Sequence, residues 1–195
     1  LFAPAVILCE GATEVGTLSR WWQQARMIGL RDPEAANIPL VSVDSQTRFG
    51  AYVRYLDAFG VPWAIVADGP ALRHDSKMAH QLAVLGHRPS TASGDLDDFA
   101  GWRKCWEGVG VFTLAQEYGH DGGKGGEFEA FLHSVDADLL ARIQAEVGRG
   151  QKPVAGSWFA AEHHEAPVEV LDLYQKITDR FGAMIVPAEE AGTAR

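Results

Sequence analysis

Short unbroken apolar runs alternate along this chain with longer amphipathic stretches. The alternation predicts strands and helices laid down in turn. Residues 5–9, 38–43, 61–67 and 109–114 are the apolar runs, suited to parallel strands covered on both faces. Residues 14–28 read as a helix ending near Gly29. A second helix over 49–59 carries Tyr52, Tyr55, Leu56 and Phe59 at spacings that cover one face, and Gly60 stops it. Residues 74–85 predict an insert helix, and Asp95 or Asp97 opens another running to Trp106. Five glycines within 116–126 prevent regular structure there and predict a surface loop. Helices are then expected over 127–147, 153–162 and 167–180, the last two starting near prolines that a first turn tolerates. The fold class is α/β: a parallel sheet of about four strands flanked by helices, with a helical insert at about 71–108 and a helical extension at about 148–187.

Composition narrows this to one domain. The chain has 195 residues, of which 47% are apolar, enough for a single substantial core. Residues 1–187 form one unit, with no repeat or linker to divide it, and 188–195 read as a frayed tail. Seventeen basic against 26 acidic residues give a net charge of −9, which predicts weak binding of nucleic acid by general field alone. Only Cys9 and Cys105 are present, too few for a disulfide framework or a zinc pattern, so a reduced cytoplasmic setting is expected. No apolar run is long enough to span a membrane, and no signal peptide is evident. The start at Leu1, almost directly before a strand, suggests a C-terminal fragment of a longer protein.

The candidate chemistry is acidic. Glu10 ends the first apolar run, Glu14 follows a glycine turn in the first turn of a helix, and Asp68 ends the third run. Strand ends of a parallel sheet share one edge, so these carboxylates can meet at the crevice where open α/β sheets hold ligands, as donors to a hard cation.

The segment Cys9-Glu10-Gly11-Ala12-Thr13-Glu14, with Ala67-Asp68-Gly69 after the third strand, resembles a Toprim domain. It is most similar to those of the OLD (overcoming lysogenization defect) family, whose nucleases join an ABC-type ATPase to a C-terminal Toprim domain. Thr47-Arg48-Phe49-Gly50, Val111-Phe112-Thr113-Leu114, Glu127-Phe128-Glu129 and Lys152-Pro153 extend the resemblance over nearly the whole chain. It implies metal-dependent DNA cleavage by an endonuclease or nickase. Glu10 and Glu14 match the paired glutamates of the family's first motif, and Asp68 the first aspartate of its Asp-x-Asp motif. Glu129, or alternatively Glu127, matches the acid after the fourth strand, and Lys152 the late lysine facing the scissile phosphate. The second Asp-x-Asp position falls at Pro70, which has no side-chain ligand; Asp44 and Asp75 are the candidate compensating acids. The partners implied are DNA, an N-terminal ATPase domain and, for the full-length protein, a homodimer; no membrane is expected.

The physical chemistry agrees. Mg²⁺ or Mn²⁺ on such carboxylates activates water and neutralises phosphate charge, and Ca²⁺ is a further candidate ion. Glu10, Glu14, Asp68, Glu127 and Glu129 suffice for one ion or two, with Lys152 as an electrostatic clamp. Two other classes stay open: a non-catalytic regulatory or assembly module of an ATPase-coupled complex, and a hydrolase of small phosphorylated molecules. Other motifs are bland. Lys124 lies in a glycine loop without the full phosphate-loop pattern, and His163-His164-Glu165 lacks zinc-enzyme spacing. Trp21, Trp22, Phe49, Tyr52 and Trp63 read as core or interface residues, and Trp158-Phe159 as a patch for a missing domain.

Overall fold

The computed structural model describes residues 3–25, 37–90, 98–119, 125–148 and 151–182. The expected helix end at Gly29, Asp95 and Asp97, Lys124 and the C-terminal tail lie outside them, as does the side chain of Lys152.

Four parallel strands, β1 (Val6–Cys9), β2 (Leu40–Ser42), β3 (Trp63–Val66) and β4 (Val111–Phe112), lie in the order β2-β1-β3-β4. The register pairs Leu8 with Val41 on one side and with Ile65 on the other. Chain order runs from β1 outward to β2, then returns past β1 to β3 and β4. Right-handed crossovers therefore put the connecting helices on opposite faces. Side-chain alternation along β1 matches this, because Ile7 and Cys9 enter one core while Leu8 enters the other.

The first core lies against α1 (Ala12–Ala25), α5 (Phe128–Val135), α6 (Ala137–Val147), α7 (Lys152–Glu162) and α8 (Val168–Phe181). The second lies against α2 (Phe49–Ala58), α3 (Lys77–Val84) and α4 (Phe99–Val109). Each strand is thus apolar on both faces, which is why the sequence shows unbroken runs.

The insert is tied down by polar contacts as well as packing. A 3₁₀ turn over Gly69–Leu72 follows β3, and the Leu72 carbonyl accepts from the indoles of both Trp102 (2.6 Å) and Trp106 (2.8 Å). Asp98 caps α4 by accepting from Ala100 and Gly101.

Three expectations change. The expected apolar stripe of α2 is split: Tyr55 and Phe59 are 62% and 75% exposed, Leu56 packs against the second core, and Phe49, Gly50 and Val53 are the buried positions. Gly50 is chosen there by the Gln81 side chain, which would lie 2.6 Å from an added Cβ and whose Oε1 accepts from the Gly50 amide. Residues 127–147 form two helices, broken at Asp136, which leaves the helical region at φ −157° and caps α6 through Leu139 N–H at 2.9 Å. Phe159 is fully buried in the domain's own core, edge-on to Trp21, and Trp158 is partly buried with its indole on Glu162. Among the described residues no helix is long and apolar enough to cross a membrane.

Candidate metal centre

The reversal of strand order lies between β1 and β3, and both strands end there in acids. Crevices at such switch points, outside the carboxyl ends of strands, are the ligand sites of open α/β sheets. Glu10 extends β1 by one ladder bond, its amide donating to the Val66 carbonyl at 3.1 Å. Its Oε2 accepts from the amide of Asp68 at 3.2 Å, which joins the two strand ends directly. Burial pushes the Glu10 carboxyl up, the Asp68 and Gln46 amides pull it down, and the Glu127 charge pushes it up again.

Glu14 occupies the third position of α1, and its Oε1 accepts from the Gly11 amide at 3.1 Å. This is the reach-back half of a capping box. Gly11 leaves the room, since a Cβ there would stand 2.8 Å from Glu14 Oε2. The side chain is only 5% exposed. Burial raises its carboxyl to about 7, with further upward pushes from Glu129 and Glu10 and an opposing pull from backbone amides.

Asp68 is held from the other side by α5, whose Phe128 amide donates to its Oδ1 at 2.8 Å. Burial first, then the charges of Glu10 and Glu14, raise its carboxyl to about 9 against the pull of that amide. The loop arrangement depends on glycine: Gly69 donates to the Gly126 carbonyl at 2.7 Å, and a Cβ on Gly69 would meet the Glu117 carbonyl oxygen at 2.0 Å. Glu127 is the N-cap residue of α5 and Glu129 lies in its first turn. Glu129 Oε1 accepts from Thr13 Oγ1 at 3.2 Å. Thr13 escaped the sequence reading as a site residue, because its burial and its bond to Glu129 arise only on folding.

Four elements thus aim carboxylates at one crevice. Among the described residues no ion pair joins Glu10, Glu14 or Asp68 to a lysine or arginine, whereas acids elsewhere pair with Arg48, Arg73, Arg142 and Lys176. Carboxylate oxygens that repel one another are the donor set a hard divalent ion prefers. Among the described residues no three of them are already gathered as a metal cage.

Lys152 is the first residue of α7, and its backbone is brought to α1 by two close approaches. A Cβ on Gly16 would lie 2.6 Å from the Pro153 carbonyl oxygen, and one on Gly156 would lie 2.6 Å from both Thr13 O and Thr17 Oγ1. Asp44 is exposed and bonded to Arg48 at 3.0 Å, and Asp75 is exposed and paired with Arg73 at 3.5 Å. Pro70 sits in the 3₁₀ turn directly after Asp68. His163 serves structure, stacking on Phe159 while its carbonyl accepts from Trp21.

Residues 1–69, which include Glu10, Glu14 and Asp68, match the family model described as overcoming lysogenization defect protein-like, TOPRIM domain. The C-terminal region of the Xanthomonas campestris pv. campestris OLD protein superposes with a TM-score of 0.50 at 22% identity, over 96% of this chain and 84% of that one. The fold is Toprim-like. The C-terminal region of the Burkholderia pseudomallei OLD protein agrees, with a TM-score of 0.51 at 18% identity over 95% of this chain and 88% of that one. No curated protein sequence matches the chain. In this Toprim-like domain the acids lie where β1, α1, β3 and α5 meet, and helices α6 to α8 buttress the α1 side.

Proposed function

We propose that the domain is a divalent-metal-dependent DNA endonuclease or nickase. The observation that carries this reading is the convergence of Glu10, Glu14 and Asp68 at the switch point, with each carboxyl pushed up by burial and by its neighbours. Carboxyls whose charged forms are disfavoured by burial and by one another are relieved when a cation settles among them. Glu10, Glu14 and Asp68 would hold Mg²⁺ or Mn²⁺, and Glu127 and Glu129 would complete a first site or build a second. A bound ion supplies Lewis acidity toward phosphate and a water of lowered pKa. The chain's own part is to fix the donors: Phe128 N–H orients Asp68, Asp68 N–H orients Glu10, and Gly11 N–H orients Glu14. Lys152, at the start of α7, would oppose charge developing on the phosphate. An N-terminal ATPase domain and a homodimer of the full-length protein belong to the same proposal, as do DNA as substrate and a cytoplasmic setting.

Supercoiled plasmid incubated with Mg²⁺, Mn²⁺, Ca²⁺ or EDTA tests it. Nicking is expected with Mg²⁺ or Mn²⁺, and Glu14→Ala is expected to lower it at least ~100-fold. A well-folded wild type that nicks under none of these ions would instead favour the regulatory or assembly module, the reading to which Pro70 in the Asp-x-Asp position lends weight. Hydrolysis of nucleotides with plasmid left intact would favour the hydrolase of small phosphorylated molecules.

Thr13 provides a finer test. Without its hydroxyl, Glu129 loses one hydrogen-bond donor, at 3.2 Å, that helps orient it. Thr13→Val is expected to raise the Mn²⁺ concentration for half-maximal nicking by roughly 10-fold, as loss of ligand-orienting bonds does elsewhere. Thr13→Ser keeps the hydroxyl and is expected to behave as wild type; equal behaviour of the two variants would remove Thr13 from the site.

A further inference from the structure

At the amino end of the sheet, roughly 15 Å of strand away from the acids, a second site is built from different chemistry. A cavity of about 520 Å³ is lined by Asp57, Val61, Pro62, Trp63, His87 and Arg180, with Phe181 beside them. That volume falls within the range of small-ligand pockets, roughly 300–1,000 Å³.

Its polar wall is preorganised. Asp57 accepts from the Trp63 indole at 2.9 Å with one oxygen and contacts His87 Nε2 at 2.7 Å with the other. The indole and imidazole are thereby fixed edge to face, 5.0 Å apart at 87°. Arg180 completes the corner. Its Nε donates to the Trp63 carbonyl at 3.3 Å, its Nη2 to the Val109 carbonyl at 2.6 Å, and its guanidinium carbon lies 5.6 Å from the Trp63 ring centre.

Two anchored nitrogens fix the plane of the guanidinium and leave N–H groups of the fork unspent. Gly110 accommodates this clamp, because a Cβ there would stand 2.3 Å from Arg180 Nε. What sets Arg180 apart is its anchoring: two of its nitrogens are spent on backbone carbonyls and not on a carboxylate. Arg48, Arg73, Arg103, Arg142 and Lys176 each have a carboxylate within ion-pair distance, and Arg180 has none among the described residues. Arg180 thus stands at the edge of the cavity with its plane fixed by two backbone carbonyls and guanidinium N–H groups left to meet an anion.

We propose that this cavity binds a small organic anion, a compact apolar body carrying one carboxylate or phosphate. The anionic group sits on Arg180, and the apolar body packs against Val61, Pro62 and Phe181. This assignment does not rest on the nuclease reading.

Benzoate and phenyl phosphate are suitable probes, with benzamide as the uncharged control. The reporter is the Trp63 indole N–H resonance, assigned by its absence in Trp63→Phe. Benzoate or phenyl phosphate is expected to shift it saturably with a Kd on the order of 1–10 mM, fitting for ligands of so few atoms. Benzamide is expected to bind at least ~10-fold more weakly, and Arg180→Gln to weaken both anions by at least that factor. Arg180→Gln also removes a cap from α4, so the comparison of benzoate with benzamide on the wild type stands as an independent measurement. No saturable shift with either anion, or equal binding of benzamide, would overturn the proposal.

Discussion

Asp68→Asn is expected to stabilise the metal-free domain at pH 8 while reducing metal-dependent nicking at least ~100-fold. Asp68 keeps its proton in the fold up to about pH 9 and Glu14 up to about pH 7. In the unfolded chain both release it near pH 4. Across that window the unfolded state binds fewer protons, so the stability of the metal-free wild type must fall as pH rises from about 4 toward 9. Asparagine keeps an oxygen to accept from Phe128 N–H and carries no charge, so it removes most of that slope. A gain on the order of 2 kcal/mol at pH 8, shrinking to near zero at pH 4, is expected in urea melts in EDTA. Adding Mn²⁺ should stabilise the wild type more than the variant. Parallel pH profiles for the two proteins would show that the acids do not repel one another as the geometry implies.

The second large effect lies at the crossing of α1 and α7. Gly156→Ala would press a methyl group onto Thr13 O and Thr17 Oγ1, each 2.6 Å away. One is backbone and the other is fixed by its own bond to Thr13 O at 2.8 Å, so neither yields cheaply. A loss of about 3 kcal/mol is expected, at the upper end for overpacking. Nicking should fall too, because α7 carries Lys152 and α1 carries Glu14. Gly108→Ala is the matched control. It lies exposed in α4 with nothing within 4 Å of an added Cβ, and alanine there is expected to gain about 0.5–1 kcal/mol. Equal stabilities of the two alanine variants would mean that the helices do not touch through glycine.

Much of the sheet was legible because its strands are covered on both faces. Val6–Cys9 and Trp63–Val66 appear as uninterrupted apolar runs, and the acids that end them announce the crevice. The orientation of α2 was not legible. Tyr52, Tyr55 and Phe59 have helical spacing, but periodicity marks a stripe without saying which side meets the sheet. The decisive contact is the long-range approach of Gln81 to Gly50. The break at Asp136 did carry a local sign, an aspartate ahead of Leu139 and Leu140, hidden within a long helical pattern. Among the site residues, Glu10, Glu14 and Asp68 were readable from their places at strand and helix ends. Thr13 and Phe128 act through a hydroxyl and an amide brought in by folding, and no spacing rule reports those.

The shared acceptor at Leu72 ties the turn after Asp68 to the insert. Two indole protons, from Trp102 and Trp106, end on one carbonyl, so neither can be released to solvent without disturbing the segment that holds the other. Slow exchange at both indoles would then report a single opening event, and its rate would measure how often the roof over one side of the sheet lifts as a unit.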